Sequence, residues 1–359
     1  MTTTTPRPDR RHWAALIEDR VLGALGAVLR SLGWIPRVEA YTGYGTPRRV
    51  RILGRVLLSP VRTGRSDPQP AQRGFRSFLA VPAPRQQVTV LIGSTAVVAV
   101  SDRAGYIDLE VGLDDDAELK PGWQAARLVP AEGSTTPVRA GVVVIGDDVR
   151  LGVISDIDDT AMVTAVPTLL VAAWNMLWVR TATRRAVRGM ADLYGRIAER
   201  HPDAPFVYLS AGAWNTARTL RRFLVRHGYP PGPLLLTDFG PTPSSWFRSG
   251  SQHKRTSLQH LFRMFPHMSW VLFGDDGQKD PEIYTTAARE HPEKVVAIGI
   301  RTLTGAERVI ATAGAAKDGP TALSPVDETS SPAGAPYFVG KDGTALAEAL
   351  ETVPGLIAE

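Results

Sequence analysis

Apolar and polar positions along the chain change rhythm several times. Between His12 and Trp34 the residues Trp13, Leu16, Ile17, Val21, Leu25, Val28, Leu29 and Leu32 recur near helical spacing, which predicts an amphipathic helix. Its apolar stripe needs a cover, supplied by its own chain or, in the sharper reading, by a membrane surface. From about Pro36 to Asp148 the pattern turns to short β-branched runs broken by Gly, Pro and Asp. VRILGRVLL, QQVTVLIG, TAVVAVSD, GYIDLEVGL, WQAARLVP and AGVVVIG predict six or more strands, with SDRAGY as a turn. Their close spacing points to a small antiparallel sandwich or barrel.

From about Val149 strands and helices alternate. LGVIS, FVYLS, LLLTD, WVLFG and VVAIGI are short enough for buried parallel strands, and helices are predicted over Ala186 to Arg200, Trp214 to His227, Lys254 to Met264 and Asp280 to Glu290. Such alternation is the mark of a doubly wound α/β domain. After about Thr304 the chain becomes rich in Ala, Gly, Pro, Ser and Asp. Ala313 to Pro336 reads as a flexible linker, and GTALAEALETV as one short helix. The expected organisation is an N-terminal amphipathic helix (1–35), a β-rich, sandwich-like accessory domain (36–148), an α/β domain (149–304), and a linker with a C-terminal helix (305–359).

Composition narrows the function classes. A chain of 359 residues, 43% of them hydrophobic, exceeds what one core usually organises, so two domains are expected. The formal charge of +5 is spread along the chain without a dense basic block, so no nucleic-acid partner is expected. It suits anionic surfaces or phosphorylated substrates. Cys is absent, which excludes disulfides, thiolate zinc sites and a cysteine nucleophile. Glu18, Asp19 and Arg20 interrupt what would be a signal-peptide core, so a cytoplasmic protein is expected, at most peripheral at a membrane. The uncharged run Ala161 to Val179 is long enough to consider a span. However, it holds Thr164, Pro167, Thr168 and Asn175 and starts beside an acidic cluster. An apolar helix against the core is expected there, with a membrane-apposed helix as the alternative.

Chemistry concentrates at the ends of the predicted parallel strands, where ligands of such sheets bind. LGVISDIDDT puts Asp156, Asp158, Asp159 and Thr160 after the first of them. Four oxygen-bearing side chains in five residues suit a cation or phosphate site, or an acidic turn capping a helix. Asp156 could attack phosphorus to form an aspartyl-phosphate, while Asp158, two residues on, reaches the leaving oxygen. Ser210 follows the strand FVYLS, as a phosphate contact or a helix cap. Lys254 falls in the first turn of a predicted helix, where the helix dipole disfavours a cation, so a nearby carboxylate or phosphate is expected. GDDGQKD brings Asp275, Asp276 and Asp280, hard oxygen ligands suited to magnesium, or a solvated acidic loop.

DIDDT, Ser210, Lys254 and GDDGQKD occur in the order of the four motifs of the haloacid dehalogenase superfamily. The strings SDIDDT, YLSAGAWN, HKR, FGDDGQKDPEIY and AREHPEKVVAIGIR further resemble the actin-patch-protein-type phosphatidate phosphatase catalytic domain, a relative of the lipins, over roughly Val149 to Arg301. The resemblance implies a Rossmann-like haloacid dehalogenase fold and magnesium-dependent conversion of phosphatidate to diacylglycerol and phosphate. It implies Asp156 as nucleophile and metal ligand, and Asp158 as general acid/base, also placed with the metal. It further implies Thr160 as orienting residue, Ser210 as phosphoryl contact, Lys254 as charge-neutralising group and Asp275 as metal ligand, assisted by Asp276 or Asp280. A phospholipid substrate implies peripheral membrane contact, for which Trp174, Leu177 and Trp178 beside Arg180, Arg184 and Arg185 are candidates. The resemblance leaves open a soluble phosphorylated metabolite or protein as substrate, and a lipid-binding module with a vestigial site.

Overall fold

The computed structural model describes residues 24–60, 81–114, 118–133, 136–163, 185–237, 243–305, 307 and 334–357. The fold is mixed α/β, with one sheet of nine strands and one of six among the described residues. It divides into two compact units: Met1–Ala40, Ile52–Leu109 and Ala125–Ala140 in the first, Tyr41–Arg51, Glu110–Gln124 and Gly141–Glu359 in the second.

In the first unit, β1 (Trp34–Ala40) lies antiparallel to β3 (Arg49–Pro60), with Trp34 opposite Pro60 and Ala40 opposite Gly54. Strand β4 (Val81–Pro82) also pairs β3. A two-residue turn joins β5 (Gln87–Ile92) to β6 (Thr95–Val100), and Gly93 supplies the positive φ (55°) such hairpins need. Val88, Val90 and Ile92 alternate inward along β5, whose other edge pairs β8 (Gly122–Pro130). The SDRAGY turn forms as its residues dictate. Asp102 Oδ1 accepts the amides of Ala104 (2.9 Å) and Tyr106 (2.8 Å), the latter opening β7 (Tyr106–Gly112).

All six expected strands of this region form, and β1, β2 (Gly43–Thr46) and β4 add to them. Within the second unit β2 pairs antiparallel with residues 49–51 and parallel with residues 142–144 of β9 (Val138–Val144), so the pairing is not purely antiparallel as the spacing predicts. Glycine makes the close approach possible: a Cβ on Gly43 would meet the Arg51 carbonyl oxygen at 2.5 Å.

The second unit carries the six-stranded sheet. Its order is β12 (Leu234–Thr237), β11 (Phe206–Ala213), β10 (Leu151–Asp156), β13 (Ser269–Asp275), β14 (Val295–Arg301) and β15 (Tyr337–Gly340), with every pair parallel. The chain starts in the middle, runs out through β11 and β12, and returns to run out the other way through β13. The carboxyl ends of β10 and β13 therefore flank the point where strand order reverses, where sheets of this class bind ligands. The near-continuous burial of β10, β11 and β13 is the pattern of a sheet covered on both faces. Among the described residues five α-helices accompany it: α1 (Met190–Arg200), α2 (Ala217–Arg226), α3 (Pro243–Met264), α4 (Asp280–Glu290) and α5 (Gly343–Leu350).

Three expectations need correction. Helix α3 begins at Pro243, not Lys254. Its first half, PSSWFRSGSQ, is rich in Ser and Gly and lacks helical signal, but Pro suits a first helical position. Lys254 thus sits eleven residues inside the helix, and the dipole reasoning about it falls. Trp34 opens β1 instead of ending the N-terminal helix, of which residues 24–31 are helical and 12–23 lie outside the described residues. The region expected as linker and helix also contributes β15, parallel to β14 with Tyr337 opposite Ile298, ahead of the expected helix. Residues 164–179 of the uncharged run and 313–333 of the expected linker lie outside the described residues, and no described helix is long and apolar enough to cross a membrane.

Trp270 sits at the centre of the second core, fully buried against Phe265 and Gly152, where an added Cβ would lie 2.4 Å from the indole. Trp270→Ala is expected to destabilise the protein by about 3–5 kcal/mol, read as a lower denaturant midpoint.

Candidate active site

The site is assembled from the ends of two parallel strands, the start of α4 and the middle of α3. Asp156 is the last residue of β10, Asp275 the last of β13, and Asp280 the first of α4. All three are buried, and one carboxylate oxygen of each lies within 4.8 Å of the others. Asp280 can enter because Gly274 has no side chain: a Cβ there would stand 2.7 Å from Asp280 Oδ2 and 2.8 Å from the Tyr284 ring.

Lys254 reaches into this cluster from α3. Its Nζ lies 2.7 Å from Asp156 Oδ1 and donates to Asp280 Oδ1 at 2.5 Å, with the lysine itself buried. Burial opposes the charged lysine, but Asp156, Asp280 and Asp275 outweigh it and raise its pKa above the ordinary lysine value. Burial also drives the Asp156 carboxyl well above the usual range; Lys254 opposes the shift, and Asp280 and Asp158 add to it. Asp275 moves the same way, from burial and then from Asp280 and Asp156. Three carboxylates thus face one ammonium. Asp156 Oδ2, Asp275 Oδ2 and Asp280 Oδ2 are buried and accept no hydrogen bond among the described residues. Hard oxygen donors left over in this way fit a divalent cation such as magnesium, though the geometry does not name the metal.

The remaining expected residues fall around this centre. Asp158 lies outside the three-carboxylate group, in the loop after β10, and its Oδ2 accepts the Ser210 hydroxyl at 2.7 Å. Ser210, fully buried in β11, also accepts the Gly212 amide (2.9 Å) next to a register shift in the β11–β12 pairing. Thr160 is fully buried, and its hydroxyl has no hydrogen-bond partner among the described residues. Asp276 turns elsewhere: its Oδ1 accepts the Leu303 amide at 2.8 Å. Of the two candidates to assist Asp275, the fold brings Asp280 into the cluster.

Residues 151–302 match the family described as the phosphatidate phosphatase APP1 catalytic domain. The similarity to that catalytic domain takes in every cluster residue. The chain is 29% identical over 152 residues to phosphatidate phosphatase APP1 of Saccharomyces cerevisiae, covering 42% of this chain and 26% of the relative. It is 28% identical over 160 residues to an uncharacterised protein of Schizosaccharomyces pombe, covering 42% and 25%. The chain thus spans about a quarter of the length of the curated relatives it matches. Among solved structures, a carbohydrate acetylesterase from Xanthomonas citri is aligned over 77% of this chain and 73% of its own at 7% identity, with a TM-score of 0.27.

One site residue escaped sequence reasoning. Arg301 ends β14, is buried, and directs its guanidinium at the loop that follows Asp156. Its sequence signals were an arginine closing an otherwise apolar strand and its place at the end of the AREHPEKVVAIGIR string, neither of which gave it a role.

Removing Lys254 strands its partners. Lys254→Met is expected to destabilise the protein in chelator by about 3–5 kcal/mol in a denaturant titration, the usual loss when one partner of a buried ion pair is deleted. A loss below about 1 kcal/mol, the range of surface pairs, would contradict the buried geometry.

Proposed function

We propose that the chain is a magnesium-dependent phosphatase of the haloacid dehalogenase type that converts phosphatidate to diacylglycerol and phosphate. The observation that carries the reading is the buried group Asp156, Asp275 and Asp280 around Lys254, inside the stretch similar to the APP1 catalytic domain. Parallel strand order with the acids at its reversal point supports it too.

In this reading the Asp156 carboxylate attacks phosphorus. The ester P–O bond breaks as the leaving alkoxide takes a proton from Asp158, giving an aspartyl-phosphate and diacylglycerol. Asp158 then takes a proton from water, which attacks the phosphoryl group and frees Asp156 and inorganic phosphate. Lys254 lies beside the nucleophile, where it offsets negative charge on the phosphoryl oxygens. Asp156, Asp275 and Asp280 would hold the divalent cation, which supplies charge neutralisation between anionic nucleophile and anionic ester. The Ser210 hydroxyl orients Asp158 through their hydrogen bond and becomes a phosphoryl contact when it turns, and Thr160 orients the same loop. A bilayer substrate calls for peripheral membrane contact of a cytoplasmic protein; Trp174, Leu177 and Trp178, the candidates for it, lie outside the described residues.

Phosphate release from mixed micelles of phosphatidate tests the reading. Release is expected to require magnesium and to fall to background in Asp156→Asn. Asp156-dependent release from soluble esters alone would keep the chemistry and discard the lipid. Silence on every ester would discard the enzyme in favour of a lipid-binding module.

A further inference from the structure

The loop that carries Asp158 passes through a left-handed residue. Asp159 has φ 59°, in the left-handed region that L-residues rarely adopt, and it is one of two non-glycine residues at positive φ among those described. The turn is tight: the amides of Ala161 and Met162 both reach the Ile157 carbonyl (3.1 and 3.0 Å), and the Asp159 amide reaches the Met162 carbonyl (2.7 Å). Arg301 meets the Asp159 carbonyl, with Nη1 donating at 2.8 Å.

Arg301 is itself locked. Its Nη2 donates to both carboxylate oxygens of Glu307, at 2.8 and 2.9 Å. Its Nε points at the Lys341 carbonyl at 3.4 Å. Its backbone carbonyl accepts the Asp276 amide at 3.0 Å, tying it to the end of β13. Glu307 is fixed in turn by the amide and hydroxyl of Thr304, both at 2.9 Å. A planar fork with donors in several directions is what these contacts use, and lysine cannot supply it. Among the described residues, this buried and clamped guanidinium reaches the loop at the carbonyl one residue past Asp158.

We propose that Arg301 is a positioning residue: clamped by Glu307, it pins the Asp159 carbonyl and so holds Asp158 where it can pass a proton to the leaving group. The inference rests on the role given to Asp158 above. General-acid help matters most for a poor leaving group, an alkoxide, and little for a nitrophenolate, which departs without a proton. A merely structural arginine would show no such selectivity.

The test compares kcat/KM for phosphatidate and for 4-nitrophenyl phosphate in the unaltered protein, Arg301→Gln, Arg301→Lys, Glu307→Gln and Asp158→Asn. This quantity reports only the steps through departure of the leaving group and so leaves out the later water-activating role of Asp158. Arg301→Gln is expected to lower kcat/KM on phosphatidate by about 100-fold, the scale of a misplaced catalytic group, with kcat/KM on the aryl ester nearly unaffected. Arg301→Lys is expected to restore little, and Glu307→Gln to show the same selectivity more weakly. Asp158→Asn should show the selectivity most strongly. If it shows none, the role of Asp158 fails and the proposal with it. If Asp158→Asn is selective while Arg301→Gln slows both esters equally, or neither, the positioning role alone is overturned. Should Arg301→Gln fail to fold, Glu307→Gln decides, because it leaves Arg301 in place: selective slowing supports the clamp, and uniform slowing or none rejects it.

Discussion

Everything at the centre of the second unit turns on placing three carboxylates around a single buried ammonium. Asp156, Asp275 and Asp280 are withdrawn from water, and Lys254 is their cationic partner in the structure. Taking such charges out of solvent is expensive, and one lysine cannot neutralise three acids. The fold accepts this arrangement because several of its features serve it. Parallel strands end side by side where strand order reverses, which sets Asp156 next to Asp275. Gly274 leaves room for Asp280, and twenty-two residues of α3 carry Lys254 inward. Repulsion left among the acids is a reason for a cation to bind there.

Around that cluster lies a layer that shapes the loop after β10. Ser210 holds the Asp158 carboxylate from β11, Arg301 holds the Asp159 carbonyl from β14, and Tyr229 donates its hydroxyl to the Ala161 carbonyl at 2.7 Å. The three contacts come from β11, β14 and the segment after α2, and they add to the hydrogen bonds the loop makes within itself. The Ser155 hydroxyl, bonded to the Asp156 carbonyl (2.6 Å) and paired with the buried Tyr194 hydroxyl (2.6 Å), anchors the strand end from below.

Much of this was legible in the sequence, for physical reasons that also explain the misses. Strands β10 to β14 could be read because a strand buried on both faces shows an unbroken apolar run, and the acids stood out because polar clusters at such strand ends are rare without a ligand. The true start of α3 was hidden by Ser and Gly, whose weak helix propensity is overridden here by tertiary packing. Four residues, Tyr337–Gly340, carry too little periodicity to announce β15, which exists because β14 offers it an edge. Asp276 and Asp280 could not be told apart by spacing, because the outcome depends on the Leu303 amide, twenty-seven residues away, capturing Asp276. Arg301 was invisible for the same reason: its meaning lies in the carbonyl it meets, 142 residues earlier.

The most direct check of the central claim is the binding of magnesium itself, by calorimetric titration of the unaltered protein and of Asp275→Asn and Asp280→Asn. If the buried acids form a cation site, the unaltered protein binds one magnesium ion and gains about 2.7 kcal/mol of stability at a hundredfold excess over its Kd. Both variants then bind far more weakly. Magnesium binding that is absent from the unaltered protein, or undiminished in both variants, would contradict the account.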